Sequence, residues 1–221
     1  MKYTITGEIA QRVRVEVEPG QFLWASKGSL VAYSDQIDWR LKVPGGLGGT
    51  ARRMLSGEGL ALNHISTPAA DQYVVLAANE PGHVTPWDLA DGAVLTTRGS
   101  FLAAWGPDVD ISVTVARRAG AALFGGAGLF LQRISGAGTV LIHGSGDFEE
   151  LRLEPGEKVL VSSGNLAAFS DSVDYDVQGV GGCRKIFFSG EGLFMTRLVG
   201  PGRVLLQTLK RRFGKSKART Q

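Results

Sequence analysis

The stretch EPGQFLWASKGSLVAYSDQIDW, residues 18–39, occurs a second time as EPGEKVLVSSGNLAAFSDSVDY, residues 154–175. The two stretches align without a gap, and 10 of their 22 residues are identical. A weaker copy, ADGAVLTTRGSFLAAWGPDVDI, lies between them at residues 90–111 and carries Gly99 at the position of the shared turn glycine. A chain that repeats one pattern at a fairly regular spacing repeats one structural unit. The sequence therefore predicts three copies of the same module.

A shorter glycine-rich block follows each copy of this stretch. It reads SGEGL at 56–60, GGAGL at 125–129 and SGEGL again at 189–193. A string of this kind can cradle a phosphate, but it lacks the lysine and the serine or threonine of a P-loop. A structural corner that needs the conformational freedom of glycine would be required once in every module. Because the block occurs three times, we interpret it as such a corner.

Alternation of apolar and polar residues indicates strands. Residues 12–17, RVRVEV, alternate strictly, as expected for a half-buried strand. Short runs rich in strand-forming residues at 73–77, 139–142 and 204–206 predict further strands. Helical periodicity is scarce, and only residues 205–213 could form a short amphipathic helix. The sequence thus predicts an all-β fold.

The repeats define modules of about 18–88, 89–153 and 154–209 within one compact unit spanning residues 1–209. The last module lacks a counterpart for one strand of the other two, and residues 1–17 could supply it. On this basis we predict that the N-terminal strand completes the third module and brings the termini close together. The three modules would then form a closed, pseudo-three-fold arrangement, which removes exposed sheet edges.

Composition is that of a globular protein, with 43% hydrophobic and 20% charged residues. The single cysteine, Cys183, cannot form an intrachain disulfide, which favours a reducing compartment. The N-terminus lacks the apolar segment of a signal peptide. No stretch approaches the roughly 20 apolar residues of a transmembrane helix. We therefore expect a cytoplasmic protein that can also lie at the periphery of a membrane.

Basic charge is concentrated at the C-terminus, in a tail spanning residues 210–221. Without the six basic residues of this tail, the rest of the chain has 18 basic and 21 acidic residues, which argues against a nucleic-acid surface on the body. The tail is either a solvated end or an anion-binding segment, and an aromatic residue among cations favours an anionic membrane over nucleic acid. The candidate partner or membrane residues are Lys210, Arg211, Arg212, Phe213, Lys215 and Lys217.

A second candidate site lies in VPGGLGGTARRML, residues 43–55. Backbone amides of a glycine-rich loop together with two guanidinium groups can hold a phosphate or another small anion. The alternative is a flexible loop without a ligand. The candidate ligand-binding residues are Gly45, Gly46, Gly48, Gly49, Arg52 and Arg53.

No catalytic or metal site is predicted. The three histidines, His64, His83 and His143, fall at different repeat positions, and no cysteine or acidic residue stands at ligand spacing from them. The repeated aspartates after residues 34 and 170 are interpreted as turn residues. Cys183 has basic neighbours, but no histidine is placed by sequence to act as its base. We therefore expect no cofactor and no enzymatic activity.

The chain resembles an uncharacterised bacterial family related to the yeast mitochondrial protein named for altered inheritance of mitochondria. The resemblance rests on SGEGLFMTRLVGPGRVLLQTL (189–209), SGEGL (56–60), GGAGLFLQRISG (125–136) and residues 43–55. It implies a fold like that of the tryptophan RNA-binding attenuation protein, a short double-stranded β-helix in tandem copies, assembled into trimers. It implies no known enzyme activity, and no residue of a tryptophan or RNA site can be matched here.

Three functions follow as hypotheses, one of which is an unrecognised enzyme that would act through Cys183 or a histidine. The first is a non-catalytic, oligomeric β scaffold, with a homotrimer favoured, that organises partners or a membrane surface through its basic tail. The alternative is a module that binds a small anionic ligand or nucleotide through the Gly45–Arg53 loop.

Overall fold

The computed structural model describes residues 1–44, 61–115, 130–179 and 194–211. These residues form β-strands joined by turns and two short 3₁₀ turns, so the all-β prediction is confirmed. No helix among these residues has the length and apolar character needed to span a membrane. The strands are β1 (Tyr3–Thr6), β2 (Arg12–Val17), β3 (Phe22–Ala25), β4 (Leu30–Tyr33), β5 (Asp38–Lys42), β6 (Leu62–Ser66), β7 (Gln72–Ala77), β8 (Gly82–Asp88), β9 (Val94–Thr97), β10 (Phe101–Trp105), β11 (Asp110–Val115), β12 (Phe130–Ser135), β13 (Thr139–Ser145), β14 (Phe148–Leu153), β15 (Lys158–Ser162), β16 (Leu166–Ser170), β17 (Asp174–Gly179), β18 (Phe194–Val199) and β19 (Gly202–Gln207).

One antiparallel pairing pattern occurs three times along the chain. In the first six-stranded unit, β2 to β7, one half-sheet has the order β2-β7-β4 and the other has the order β5-β6-β3. The same order recurs in the second unit, β8 to β13, and in the third, β14 to β19. Strand β1 is an addition outside β2. Each unit is therefore a small two-layered structure with its own pair of half-sheets.

Neighbouring units are joined because a half-sheet of one continues into a half-sheet of the next. Strand β3 of the first unit pairs with β10 of the second, and β9 of the second pairs with β16 of the third. In the described parts of the chain, the result is four successive sheets of four, six, six and three strands. We call the β3–β10 and β9–β16 pairings the internal junctions.

A hydrophobic core fills each of the three spaces between successive sheets. Strand β2 shows how sequence determines this packing, since its valines are fully buried and its charged residues are exposed. The first core is built around Val13, Leu23 and Leu76, the second around Trp87 and Ile134, and the third around residues such as Phe169. Full burial of such side chains supplies about 1.5–3 kcal/mol each.

The start points of the three units are stacked against one another. Gly82, at the start of the second unit, forms parallel bridges with Ala10 and with Gly146. Its φ of 153° is one that residues with side chains rarely adopt, and a Cβ there would lie 1.9 Å from the carbonyl oxygen of Gly144. Glycine is therefore required where the chain passes from one unit to the next.

The prediction that the N-terminal strand completes the third module is wrong. Strand β2 pairs along its whole length with β7 of the first unit, and β19 of the third unit pairs with β14 and β16. Each unit thus carries its own counterpart of β2. Among the described residues the row of units is also open rather than closed, because β4 and β15 are edge strands.

The two ends of the described chain, Met1 and Arg211, lie at opposite ends of β10. Met1 lines a hollow with Trp105 at one end of β10. Arg211, the last described residue, hydrogen-bonds Ser100 just before the other end of that strand. The three GxGL blocks, at 56–60, 125–129 and 189–193, lie outside the described residues.

Candidate functional site

Two sheet edges form the first candidate site. Strand β4 ends the four-stranded first sheet, and β15 ends the three-stranded fourth sheet. The strands equivalent to β4 are β10 and β16, and those equivalent to β15 are β3 and β9, which are the partners in the internal junctions. We call β4 and β15 the open edges, since among the described residues neither has a strand on its outer side.

Apolar side chains at the open edges are exposed where their equivalents are buried. Val31 and Tyr33 of β4 are 62% and 45% exposed, and Leu160 of β15 is 57% exposed. The residues equivalent to Val31 and Tyr33, which are Leu102 and Ala104 in the second unit and Ala167 and Phe169 in the third, are buried. Leu95 of β9, equivalent to Leu160, is also buried. An apolar strand edge of this kind is a template for pairing with another chain.

The internal junctions define the register that such pairing would take. Ala103 lies opposite Ala25 and Ala104 opposite Trp24 in the first, and Ala168 lies opposite Thr96 and Phe169 opposite Leu95 in the second. The equivalent pairs between the open edges are Ala32 with Val161 and Tyr33 with Leu160.

Charges at the open edges are complementary in the same register. Across the second internal junction, Arg133 of β12 donates to the carboxylate of Asp171 at 2.9 Å. This bond raises the pKa of Arg133. The equivalents at the open edges are Arg197, near β15, and Asp35, after β4. The Nε of Arg197 is buried without a hydrogen-bond partner in the described part of the chain.

A second candidate site surrounds the guanidinium group of Arg211. This side chain is only 8% exposed and forms an ion pair with Glu80, with Nε 2.9 Å from the carboxylate. It also donates to Ser100 Oγ at 2.5 Å and to His143 Nδ1 at 2.7 Å. We call the pocket formed by Glu80, Ser100 and His143 the Arg211 cleft.

Ionisation in the Arg211 cleft follows from its contacts. Burial, followed by the nearby Arg211 charge, lowers the pKa of His143 to about 4. A hydrogen bond from Ser145 lowers the pKa of Glu80, and Arg211 lowers it further. Burial also lowers the pKa of Arg211, against the opposing effect of Glu80. At neutral pH the cleft therefore holds a carboxylate and an uncharged imidazole, whose Nδ1 accepts a hydrogen bond.

The structure separates the residues that the sequence grouped as a basic tail. Lys210 is exposed, whereas Arg211 is buried in the cleft. Arg212, Phe213, Lys215 and Lys217 lie outside the described residues, and so does the proposed anion loop with Gly45, Gly46, Gly48, Gly49, Arg52 and Arg53. Cys183 also falls outside them.

The histidines and tryptophans have different surroundings. His143 lies in the Arg211 cleft, His64 stacks on Phe22 with ring centroids 5.0 Å apart, and His83 Nδ1 lies 3.2 Å from Asp147. Burial, followed by the Lys42 charge, lowers the pKa of His64. Two tryptophans, at positions 87 and 105, are buried, and those at 24 and 39 are partly or clearly exposed.

Sequence reasoning did not identify Glu80, Ser100 or Ser145 as parts of a site. The available signal was the repeat position of His143. This position is occupied by Ala77 in the first unit and by Gln207 in the third. A position that changes chemical character among otherwise similar copies indicates a local role, but alignment alone does not reveal that Arg211 lies against it.

The fold and the open edges define a class of protein: in its described residues it is an all-β chain of three six-stranded units joined edge to edge, and at either end of this row one strand, β4 or β15, is paired on its inner side only. The chain matches the family described as Mitochondrial biogenesis AIM24 over residues 3–209. It therefore belongs to that family, as the resemblance in its repeated motifs indicated.

Two streptococcal proteins illustrate the similarity. The Uncharacterized protein M6_Spy0233 of Streptococcus pyogenes serotype M6 is 28% identical over 219 residues, which covers 95% of this chain and 86% of that protein. The crystal structure of protein SPYM3_0169 from Streptococcus pyogenes superposes with a TM-score of 0.78 at 23% identity, covering 95% of this chain and 94% of the other. The second similarity establishes the fold.

Proposed function

We propose that this protein is a non-catalytic scaffold that assembles head to tail through its open edges, with β4 of one copy pairing antiparallel with β15 of the next. The observation that carries the proposal is the exposure of Val31 and Tyr33 at positions that are buried in both internal junctions, and of Leu160 at a position that is buried as Leu95 in the second junction and half-buried as Trp24 in the first. Burying such side chains in a new junction would remove apolar surface from water at about 25 cal/mol per Å².

Assembly of this type is heterologous, since two different edges meet. Heterologous contacts make a closed ring when the rotation between subunits closes and a filament when it does not. We propose a ring, with three copies favoured by the resemblance to a trimeric family. Such a ring would contain nine six-stranded units joined by one kind of junction, six inside subunits and three between them.

A ring also supports the proposed membrane role of the basic tail. Cyclic symmetry places equivalent points of all subunits at one level along the axis, so the residues that follow Arg211 would leave the ring on one face. Several weakly binding basic segments on one face bind an anionic bilayer far more tightly than a single segment does.

A cysteine-mixing experiment tests the head-to-tail contact. In a Cys183→Ser background, Ala32→Cys and Val161→Cys are made as separate proteins and then mixed under oxidising conditions. Antiparallel partners have Cα atoms about 4.5–5.5 Å apart, within the range that a disulfide spans. The mixture is expected to give a covalent dimer, whereas neither protein alone should.

Two further proteins complete the design. The double variant, Ala32→Cys with Val161→Cys, is expected to give covalent species that end at the size of the closed ring. Mixing Arg14→Cys, an exposed site on β2, with Val161→Cys should give no specific product. Cross-linking of Ala32→Cys alone to the same extent as the mixture would overturn the head-to-tail arrangement.

Binding of a small anionic ligand through Gly45–Arg53 stays a prediction, because that loop lies outside the described residues.

A further inference from the structure

The guanidinium group of Arg211 meets an acceptor at each of its three nitrogens. Its Nε donates to Glu80 at 2.9 Å, and its two terminal nitrogens donate to Ser100 Oγ and His143 Nδ1. Two longer contacts of 3.5 Å reach the backbone carbonyls of Arg98 and His143. Arginine carries five N–H donors in a planar fork, so the contacts account for the whole group. A lysine ammonium cannot make this set.

The acceptors are held in place by contacts that do not involve Arg211. The Glu80 carboxylate accepts from Ser145 Oγ, and Ser100 Oγ lies 3.2 Å from Thr97 Oγ1. His143 is 1% exposed and lies on β13, where its backbone nitrogen bonds to the carbonyl of Ser100. The cleft is therefore a preformed receptor rather than a shape imposed by the arginine.

The backbone also leaves room for the planar group. Gly99 has a φ of 81°, and a Cβ placed there would lie 3.4 Å from Cζ of Arg211. This turn joins β9 to β10, and Glu80 lies in the connection between the first and second units. Arg211 itself follows the last strand of the third unit, so one side chain ties together all three units.

The cleft opens into a hollow of about 260 Å³ that can admit a ligand from outside. The hollow is lined by Glu80, His143 and Arg211 and by the turns that carry Lys27 and Arg98. The side chain of Glu80 is 53% exposed, so its carboxylate is accessible from solvent although the arginine that it binds is not.

We propose that the cleft formed by Glu80, Ser100 and His143 is a guanidinium-binding site, that Arg211 is the ligand supplied by the chain itself, and that a guanidinium group from another molecule can replace it. Replacement releases Arg211 from the body of the protein. The ligand that occupies the cleft therefore determines whether residue 211 is held against the body or is free together with the rest of the basic tail. The proposal does not depend on head-to-tail assembly.

Chemical rescue tests the site. The full-length Arg211→Ala variant is expected to melt at least about 5 °C below the wild type, since it loses charged hydrogen bonds in a buried cleft. N-ethylguanidinium at about 10 mM should raise the melting temperature of the variant by several degrees through mass action, but should raise that of the wild type much less. Ethylammonium at equal ionic strength should have no selective effect.

Three further measurements separate a specific site from general stabilisation. Adding Glu80→Ala to Arg211→Ala should abolish the rescue. A capped Gly-Arg-Gly peptide should rescue if the site accepts a protein arginine, and its lysine counterpart should not, whereas rescue by N-ethylguanidinium alone would assign a small guanidine as the ligand. Equal effects of the guanidinium and ammonium probes, or rescue that survives the loss of Glu80, would overturn the proposal.

Should Arg211→Ala fail to fold, Arg211→Lys provides the same test. It keeps the positive charge but lacks the fork, so it is expected to melt below the wild type and to be stabilised selectively by N-ethylguanidinium. A melting temperature equal to that of the wild type would show that charge alone is recognised, which contradicts a guanidinium site.

Discussion

Arg133 of the second unit forms an ion pair with Asp171 of the third, with 2.9 Å between guanidinium nitrogen and carboxylate oxygen. The pair spans the internal junction of β9 with β16. Its counterparts at the open edges, Arg197 and Asp35, lie at opposite ends of the row of units. Such a pair contributes at most about 1 kcal/mol at a surface, but it specifies partner and register.

Charge exchange tests this register. Asp35→Arg alone should weaken assembly, because two guanidinium groups would meet at the new junction, and Arg197→Asp alone should do so as well, because two carboxylates would meet. The protein carrying both changes should assemble again, since the opposite charges are restored with their positions exchanged. Sedimentation velocity of the three proteins measures this. Failure of the double variant to recover would contradict the register proposed here, provided that circular dichroism shows it folded.

Acid should destabilise the protein through His143. The pKa of this histidine is about 4 in the folded chain, against 6.5 for an unperturbed imidazole, and its environment includes Arg211, Glu80 and His83. A group whose folded-state pKa is lowered is protonated first in the unfolded chain, so stability falls as the pH decreases from 6.5 to 4. Through proton linkage, the free energy of unfolding should decrease by about 2.5 kcal/mol between neutral pH and about pH 4.5.

His143→Gln is the matched variant, because Gln207 occupies the equivalent position of the third unit. Urea unfolding at neutral pH and at about pH 4.5 measures the free energy of unfolding of both proteins. Between these two pH values it should fall by about 2.5 kcal/mol less in the variant than in the wild type. Glu80 affects stability at lower pH, because its pKa lies below the ordinary value. Its contribution to the free energy of unfolding is lost only as the pH falls through that lowered pKa. Equal losses in the two proteins would show that His143 is not the cause.

Gly82→Ala should be strongly destabilising. A Cβ at this position would lie 1.9 Å from a backbone oxygen, in a stack that joins the starts of the three units. We expect a loss of about 3 kcal/mol or more in the free energy of unfolding. Gly20→Ala is the control, because Gly20 also has a positive φ but no atom within 4 Å of the place where a Cβ would stand, and it should cost about 1 kcal/mol. Comparable losses in both would mean that the stack tolerates a methyl group.

Two truncations distinguish the structural from the membrane-binding part of the tail. Removal of residues 212–221 should leave the melting temperature unchanged, because Arg211 remains in its cleft. Removal of 210–221 should lower it. Full-length protein should bind vesicles that contain phosphatidylserine, with about 1 kcal/mol from each basic residue close to the bilayer. The protein that lacks residues 212–221 should lose this binding. Binding that persists after removal of 212–221 would assign the membrane contact to another part of the chain.

The strand pattern could be predicted from the sequence, whereas the choice of strand partners could not. RVRVEV at 12–17 coincides with β2 because alternation reports directly which side chains are buried. Repetition shows which strands are equivalent, but equivalence does not distinguish pairing within a unit from pairing with its neighbour. For this reason the repeats alone place the N-terminal strand in the third module, although it pairs with β7 of the first unit.

The Arg211 cleft is hidden from the sequence for another reason. Arg211 stands in a run of basic residues, and composition indicates a solvated segment for such a run. Its partner Glu80 is 131 positions earlier in the chain, and only the stacking of the three units brings the two together. The open edges are equally hidden, because Tyr33 and Phe169 occupy the same repeat position and differ only in what lies beside them.

Light scattering of the intact protein beside Leu160→Lys tests the central claim most directly. Leu41→Lys is the control, since Leu41 is 49% exposed on β5, which pairs with β6 and has no part in the proposed contact between β4 and β15. Head-to-tail assembly predicts a mass of several times 23.5 kDa, with three copies favoured, for the intact protein and the control. It predicts 23.5 kDa for Leu160→Lys, because a lysine at a strand edge opposes pairing. A monomeric intact protein, or an oligomer unaffected by Leu160→Lys, would contradict the account.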